Sequence, residues 1–186
     1  MFVSMLQRLL GTTWHAAGLM VTFGSLSETS TDIRKYSKHL YETLEAETGL
    51  STGFKPVGFI ELAADKDRLE EYRRISAFNR KCGVDVQEIS PAEVKQLFPL
   101  CKTDDIHAGF YVKDDGRVNP IDVTMSLARG ARMRGATIVE GVSVSHVNTR
   151  INSFNNLDKE VTGVTLTDGR VIRARCVVNC RCVHSF

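Results

Sequence analysis

Apolar residues recur at helical steps through the first two thirds of the chain, and the period then shortens. Over residues 31–48, Ile33, Tyr36, Leu40 and Leu44 repeat at three- and four-residue intervals and predict one inward face of an amphipathic helix. Gly49 suits its C-terminal end. The preceding residues 22–30 are polar and rich in Ser and Thr, and read as a linker or cap. Residues 57–63 form a short apolar run and predict a buried strand. Residues 65–81 predict a highly charged helix with Leu69, Tyr72, Ile75 and Phe78 on or near one side, ended by Gly83. Residues 84–89 predict a short strand.

A well-formed helix start follows. Ser90 can cap, Pro91 takes the first helical position, Glu93 completes a capping box, and Ile89 with Val94 is placed as a hydrophobic staple. This helix stops before Pro99. Residues 108–113 are strand-like and lead into an Asp-Asp-Gly turn at residues 114–116. The starting device then recurs. Val118 is the staple, Asn119 the cap and Pro120 the first helical residue, with Asp122 in the first turn and Val123 opposite the staple. The helix runs to Arg134, with Val123, Leu127 and Ala131 inward and Gly135 closing it. Residues 136–140, 142–147, 161–167 and 171–179 read as strands, with a hairpin signal at Asp168-Gly169 and a polar loop over residues 150–159. Helices and strands alternate and then give way to a small β-meander, so the fold class is α/β or mixed α+β.

Composition narrows the function classes. With 42% hydrophobic residues, 25% charged residues and a net charge of +2, the chain is an ordinary globular sequence that gives no reason to expect nucleic acid or a membrane as partner. No apolar run reaches membrane-spanning length. Five Cys, three of them clustered near the end, favour a reducing compartment. Residues 1–10 are too short for a secretory signal and, with only Arg8, lack the several Arg and Ser of a mitochondrial presequence.

Candidate chemistry concentrates in residues 11–19. Gly11, Thr12, Thr13, Trp14, His15, Ala16, Ala17, Gly18 and Leu19 hold the chain's one Trp, and Gly near each end allows close backbone approach to a ligand. His15 has the chemistry of a ligand, a base or a nucleophile; alone, such a loop also reads as a satisfied turn. No Rossmann glycine fingerprint, Walker loop, HExxH or GxSxG is present. Cys176, Cys180, Cys182 and His184 share one strand face, but steps of about 6.5 Å spread them too widely for tetrahedral zinc, so no metal site is expected. The carboxylate pairs Asp104-Asp105 and Asp114-Asp115 read as solvated turn residues. His39 reads as surface, and His107 and His146 stand at strand ends with no partner legible.

Residues 11–19 resemble the flavin-attachment loop of the mitochondrial sarcosine and dimethylglycine dehydrogenases, flavoproteins of the D-amino-acid-oxidase-like superfamily. Further segments resemble that family in family order: LEAETG at 44–49, GFIELA at 58–63, RLEEY at 68–72, ISPAEV at 89–94, LFP at 97–99, DGRVNP at 115–120 and VVNC at 177–180. The resemblance covers residues 11–180. It implies FAD bound covalently through His15, with residues 11–19 lining the isoalloxazine and the backbone of Val144 contacting the adenine. It implies a flavin-binding portion at 11–27 and 117–180 and a substrate-binding portion at 28–116. The reaction implied is removal of a hydride from an N-methyl group of a small glycine derivative, which yields formaldehyde or passes the carbon to a folate. Electron-transfer flavoprotein is the implied acceptor and the mitochondrial matrix the implied location. A regulatory subunit of pyruvate dehydrogenase phosphatase shares the scaffold; by the same resemblance that branch lacks the attachment His, so His15 favours the catalytic branch.

The family also begins with a strand, a glycine-rich dinucleotide loop and an acidic ribose ligand, none of which residues 1–10 resemble; residues 181–186 likewise depart from the family's Ala-Gly continuation. The chain therefore reads as an internal fragment of a FAD-binding domain, without the first Rossmann βαβ and interleaved with a substrate-binding layer. The expectation is weak or no flavin binding by these 186 residues alone.

Overall fold

The computed structural model describes residues 12–151 and 159–180. Gly11, the segments 1–10 and 181–186 with Cys182 and His184, and residues 152–158 of the expected polar loop lie outside the described residues. The chain divides into two compact units, one of residues 16–130 and one containing residues 12–15 and the chain from 131 onward.

The larger unit is built on a three-stranded antiparallel sheet. Its order is β2 (Phe59–Ala63), β4 (Ala108–Val112), β3 (Gln87–Ile89), with Phe59 opposite Val112 and Ile89 opposite Gly109. Alternate residues of a strand face opposite sides. Phe110, fully buried, turns toward α3 (Lys66–Lys81) and joins Ala63, Ile75, Val84, Val86, Ala108 and Val112 in the core. Gly109 turns to the other side, where an added Cβ would stand 2.6 Å from Val94 Cγ2 of α4 (Pro91–Leu97) and 3.1 Å from Ile89 Cγ1. Ile89 and Val94, expected as a staple, are both buried and both face Gly109, and the expected capping box is in place. The Glu93 amide donates to Ser90 Oγ at 3.3 Å, and the Ser90 amide donates to Glu93 Oε2 at 2.7 Å. Asp65 caps α3 by accepting from the Arg68 amide at 2.7 Å. The expected strand at 57–63 begins only at Phe59. Gly58 turns the chain at φ +81°, and Val57 is exposed.

The long helix α2 (Glu28–Thr48) corrects the sequence pattern. It starts at Glu28, capped by Ser27, inside the stretch expected to be a linker or cap. Ile33 and Tyr36, expected inward, are 60% and 67% exposed, while Thr31, Leu44 and Thr48 are buried. The buried face is polar because its partners are polar. Thr31 Oγ1 donates to Ser27 O at 3.0 Å, and the Thr48 hydroxyl lies 2.8 Å from that of Ser126 on α5 (Pro120–Met133). Small residues let these helices approach closely: an added Cβ on Gly130 would stand 3.2 Å from Thr48 Cγ2. Helix α5 accordingly buries Val123 and Ser126, and Leu127, expected inward, is exposed.

The other unit holds an antiparallel meander of β6 (Val144–Ile151), β7 (Lys159–Leu166) and β8 (Val171–Arg173). The Asp168-Gly169 turn forms as expected. Gly169 adopts φ +86°, and the Arg170 amide donates to Asp168 Oδ1 at 3.0 Å. Residues 136–140 form no strand, and β8 ends at Arg173 rather than 179. Apolar β-branched sequence makes a ladder only where a second strand lies alongside, and none does there among the described residues.

Phe110→Ala is expected to cost about 3–5 kcal/mol, because it opens a cavity against Phe23 and Tyr72, whose rings lie 6.0 and 5.7 Å away. Ile33→Ala is expected to stay within about 0.5 kcal/mol. Urea unfolding of both variants measures the contrast, and a comparable loss for Ile33 would contradict the burial pattern.

Candidate functional site

Three segments of the larger unit cross at one place. They are residues 18–25, residues 52–58 and residues 115–119. The short strand β1 (Leu19–Met20) pairs with β5 (Gly116–Arg117), Leu19 opposite Arg117 and Met20 opposite Gly116. The Val118 amide donates to Gly18 O at 2.8 Å, and Lys55 and Arg117 exchange backbone hydrogen bonds of 2.8 and 3.1 Å. The crossing is close enough to demand glycine twice. A Cβ on Gly116 would stand 2.0 Å from Lys55 O, and one on Gly18, at φ +75°, would stand 2.3 Å from Val118 O.

At the centre lies Asp115, and here the expectation of a solvated turn carboxylate is wrong. Asp115 is 0% exposed. Its Oδ2 accepts from the Thr22 amide at 2.7 Å, its Oδ1 accepts from Thr22 Oγ1 at 2.9 Å, and its carbonyl accepts from the Gly58 amide at 2.8 Å. Burial pushes the carboxyl above its ordinary pKa; the hydrogen bonds from Thr22 and the charge of Lys38 pull the other way. Next along the chain, Phe23 enters the core against Phe110. The fully buried Asn79 then takes over, accepting from the Gly24 amide at 3.1 Å and donating to Ser25 O at 2.8 Å. Sequence reasoning missed Thr22, Asn79 and Asp115. No local signal marks them, since Thr22 and Asp115 lie 93 positions apart. The DGRVNP segment at 115–120 pointed to the place but not to the burial.

Upstream of this crossing lie the residues expected to bind flavin. Residues Thr12–His15 form a single helical turn, α1. Thr13 is half-buried, Trp14 is 66% exposed, and His15 is exposed with its ring edge-on to Trp14, centroids 6.3 Å apart. Ala16 and Ala17 are exposed, Gly18 is buried against Val118, and Leu19 is 66% exposed. Val144 opens β6, half-buried and opposite Leu166. The structure therefore brings Trp14 to His15 and Gly18 to Val118, and places Val144 in the meander.

A family model described as FAD dependent oxidoreductase matches residues 7–183. The chain belongs to that family. It is 36% identical over 171 residues to mitochondrial sarcosine dehydrogenase of Homo sapiens, covering 91% of this chain and 18% of that protein. It is 32% identical over 167 residues to mitochondrial dimethylglycine dehydrogenase of Homo sapiens, covering 88% and 19%. It is also 35% identical over 170 residues to the mitochondrial pyruvate dehydrogenase phosphatase regulatory subunit of Mus musculus, covering 91% and 18%. The chain thus spans less than a fifth of these relatives' length. Among solved structures, L-proline dehydrogenase from P. horikoshii superimposes with a TM-score of 0.76 at 25% identity, covering 89% of this chain and 41% of that one. The family and the mixed α/β, FAD-binding fold expected from the resemblance both hold.

The residues present fit the ring end of an FAD. Taken singly, Ala16 and Ala17 are small and exposed, Trp14 and Leu19 are apolar and exposed, and imidazole is a competent nucleophile toward an electrophilic carbon, which is chemistry suited to a flat, apolar ring. Among the described residues no glycine-rich turn leads from a strand into a helix, so the fit does not extend to the pyrophosphate. Cys176 and Cys180 are exposed, and no group of three His, Cys, Asp or Glu among the described residues is arranged to hold a metal.

The raised pKa of Asp115 has a definite sign in stability. Between its unfolded and native values the native state binds the extra proton. Its contribution is therefore fully present in acid and is lost as pH rises through the native value. Relative to Asp115→Asn, which cannot titrate, the wild-type protein should gain stability as pH is lowered from 7 toward 4.5. Paired urea midpoints at the two pH values measure this, and a wild-type disadvantage that grows in acid would contradict it.

Proposed function

We propose that this chain carries the flavin-attachment loop and adjoining substrate-side layer of a FAD-dependent amine dehydrogenase that oxidises an N-methyl group of a small glycine derivative. The observation that carries this reading is His15, an exposed imidazole among small and apolar exposed neighbours. In the proposed enzyme His15 bonds the flavin through an imidazole nitrogen, so the cofactor does not dissociate between turnovers. Gly11, Thr12, Thr13, Trp14, Ala16, Ala17, Gly18 and Leu19 border the ring system, and Val144 meets the adenine. Residues 11–27 and 117–180 serve the flavin, and residues 28–116 serve the substrate. The bound flavin supplies the hydride acceptor, and electron-transfer flavoprotein then draws off the electrons. The mitochondrial relatives support a mitochondrial location, proposed as the matrix.

A second reading, a regulatory protein on the same scaffold, is supported by the 35% identity to the phosphatase regulatory subunit. That value stands beside 36% for sarcosine dehydrogenase, so overall similarity does not choose between them. The imidazole favours the enzyme.

The full gene product carrying these residues is expected to retain flavin after acid precipitation, and His15→Ala is expected to lose it. Visible absorbance of the redissolved pellet measures both. Attachment that persists in His15→Ala removes His15 as the tether. A wild-type protein that takes up no flavin favours the regulatory reading.

A further inference from the structure

We propose that Thr22 and Asp115 are positioning residues for the flavin-binding loop, setting where residues 16–19 stand through the register of β1 on β5. The proposal rests on the reading of that loop given above.

Ala16, Ala17 and Leu19 expose their side chains, so packing does not fix them. What holds this stretch is its downstream end, through the Gly18 carbonyl on the Val118 amide and the pairing of Leu19 and Met20 with Arg117 and Gly116. A ladder of two residues specifies its own register weakly. Thr22 supplies what the ladder lacks, because its amide and hydroxyl both reach the carboxylate that precedes β5, at 2.7 and 2.9 Å. A slip of one residue would carry Thr22 off Asp115 and displace the chain by about 3.3 Å. His15 is seven residues upstream, three before Gly18. Ångström-scale errors of placement cost about a hundredfold in reactions that depend on fixed geometry.

A buried carboxylate is a costly way to hold a loop if stability alone is at stake, because an apolar pair of similar volume does as well or better. Its return here is direction. Two oxygens accept from one residue's amide and hydroxyl, those of Thr22, and the Phe23 amide adds to the hold on the same carboxylate. The Phe23 side chain, by contrast, anchors the same segment by burial in the core. The two roles separate by substitution, since Thr22→Val keeps shape, amide and Phe23 while removing the hydroxyl.

The test uses the full gene product and FAD, in a His15→Ala background so that the cofactor is exchangeable. Thr22→Val is expected to keep a cooperative unfolding transition, to speed hydrogen exchange at the amides of residues 19–22 at least tenfold, and to weaken FAD binding about tenfold by flavin fluorescence. Thr22→Ser is expected to restore both. A folded Thr22→Val protein with wild-type exchange and affinity overturns the proposal. Should that variant not fold, Asp115→Asn is read by the same two measurements. If neither folds, the pair is a folding determinant and the positioning role is overturned. Covalent flavin persisting in His15→Ala removes the tether assignment alone, because exchange at residues 19–22 reads the clasp without it.

Discussion

The arrangement of residues 16–130 depends on a single buried carboxylate. Asp115 joins all three crossing segments through its own polar groups, with its side chain on Thr22 and its carbonyl on Gly58. Removing a carboxylate from water is expensive unless hydrogen bonds replace the water. Asp115 has those bonds, and they come from positions far away in sequence. The crossing therefore closes only when both loops arrive, which couples the order of residues 18–25 to that of residues 52–58. The two glycines express the same constraint sterically. Gly18 and Gly116 stand where backbone lies against backbone, and neither place admits a Cβ.

How far the sequence was legible follows from the range of each interaction. Local devices read correctly. The capping box at Ser90 and Glu93, the Asn119 cap and the Asp168-Gly169 turn each involve residues within three positions of one another. Faces were read less well. The apolar period of α2 pointed to Ile33 and Tyr36, yet the helix buries Thr31 and Thr48. Periodicity assumes that a core takes the largest apolar residues. Helices in close approach take the smallest ones, and a hydroxyl pair such as Thr48 with Ser126 is satisfied there without water.

The site divides along the same line. His15 and its neighbours are visible in sequence because they are chemically unusual: a Trp, an imidazole and small residues together. The residues that hold the stretch following His15 are invisible because Thr22, Asn79 and Asp115 are ordinary polar side chains until folding buries them. An Asp-Asp-Gly run reads as solvent-exposed by every local rule, and of its two carboxylates the second turns inward to reach a partner 93 positions away.

Exposure itself discriminates between a loop that only connects and one that binds. Leaving a large apolar side chain in water forgoes about 1.5–3 kcal/mol, and the stretch from Trp14 to Leu19 leaves out both Trp14 and Leu19. A connecting turn has no reason to carry such residues, since Ser, Asn or Asp would satisfy the backbone better. Under the proposed function, their retention beside an exposed imidazole is explained by an occupant that is flat, apolar over its faces and electrophilic at its edge. A flavin ring has those properties, and membership of the FAD-dependent oxidoreductase family makes it available. The near-equal identities to dehydrogenase and regulatory relatives do not choose between them, and the imidazole is the ground on which the enzymatic reading is proposed.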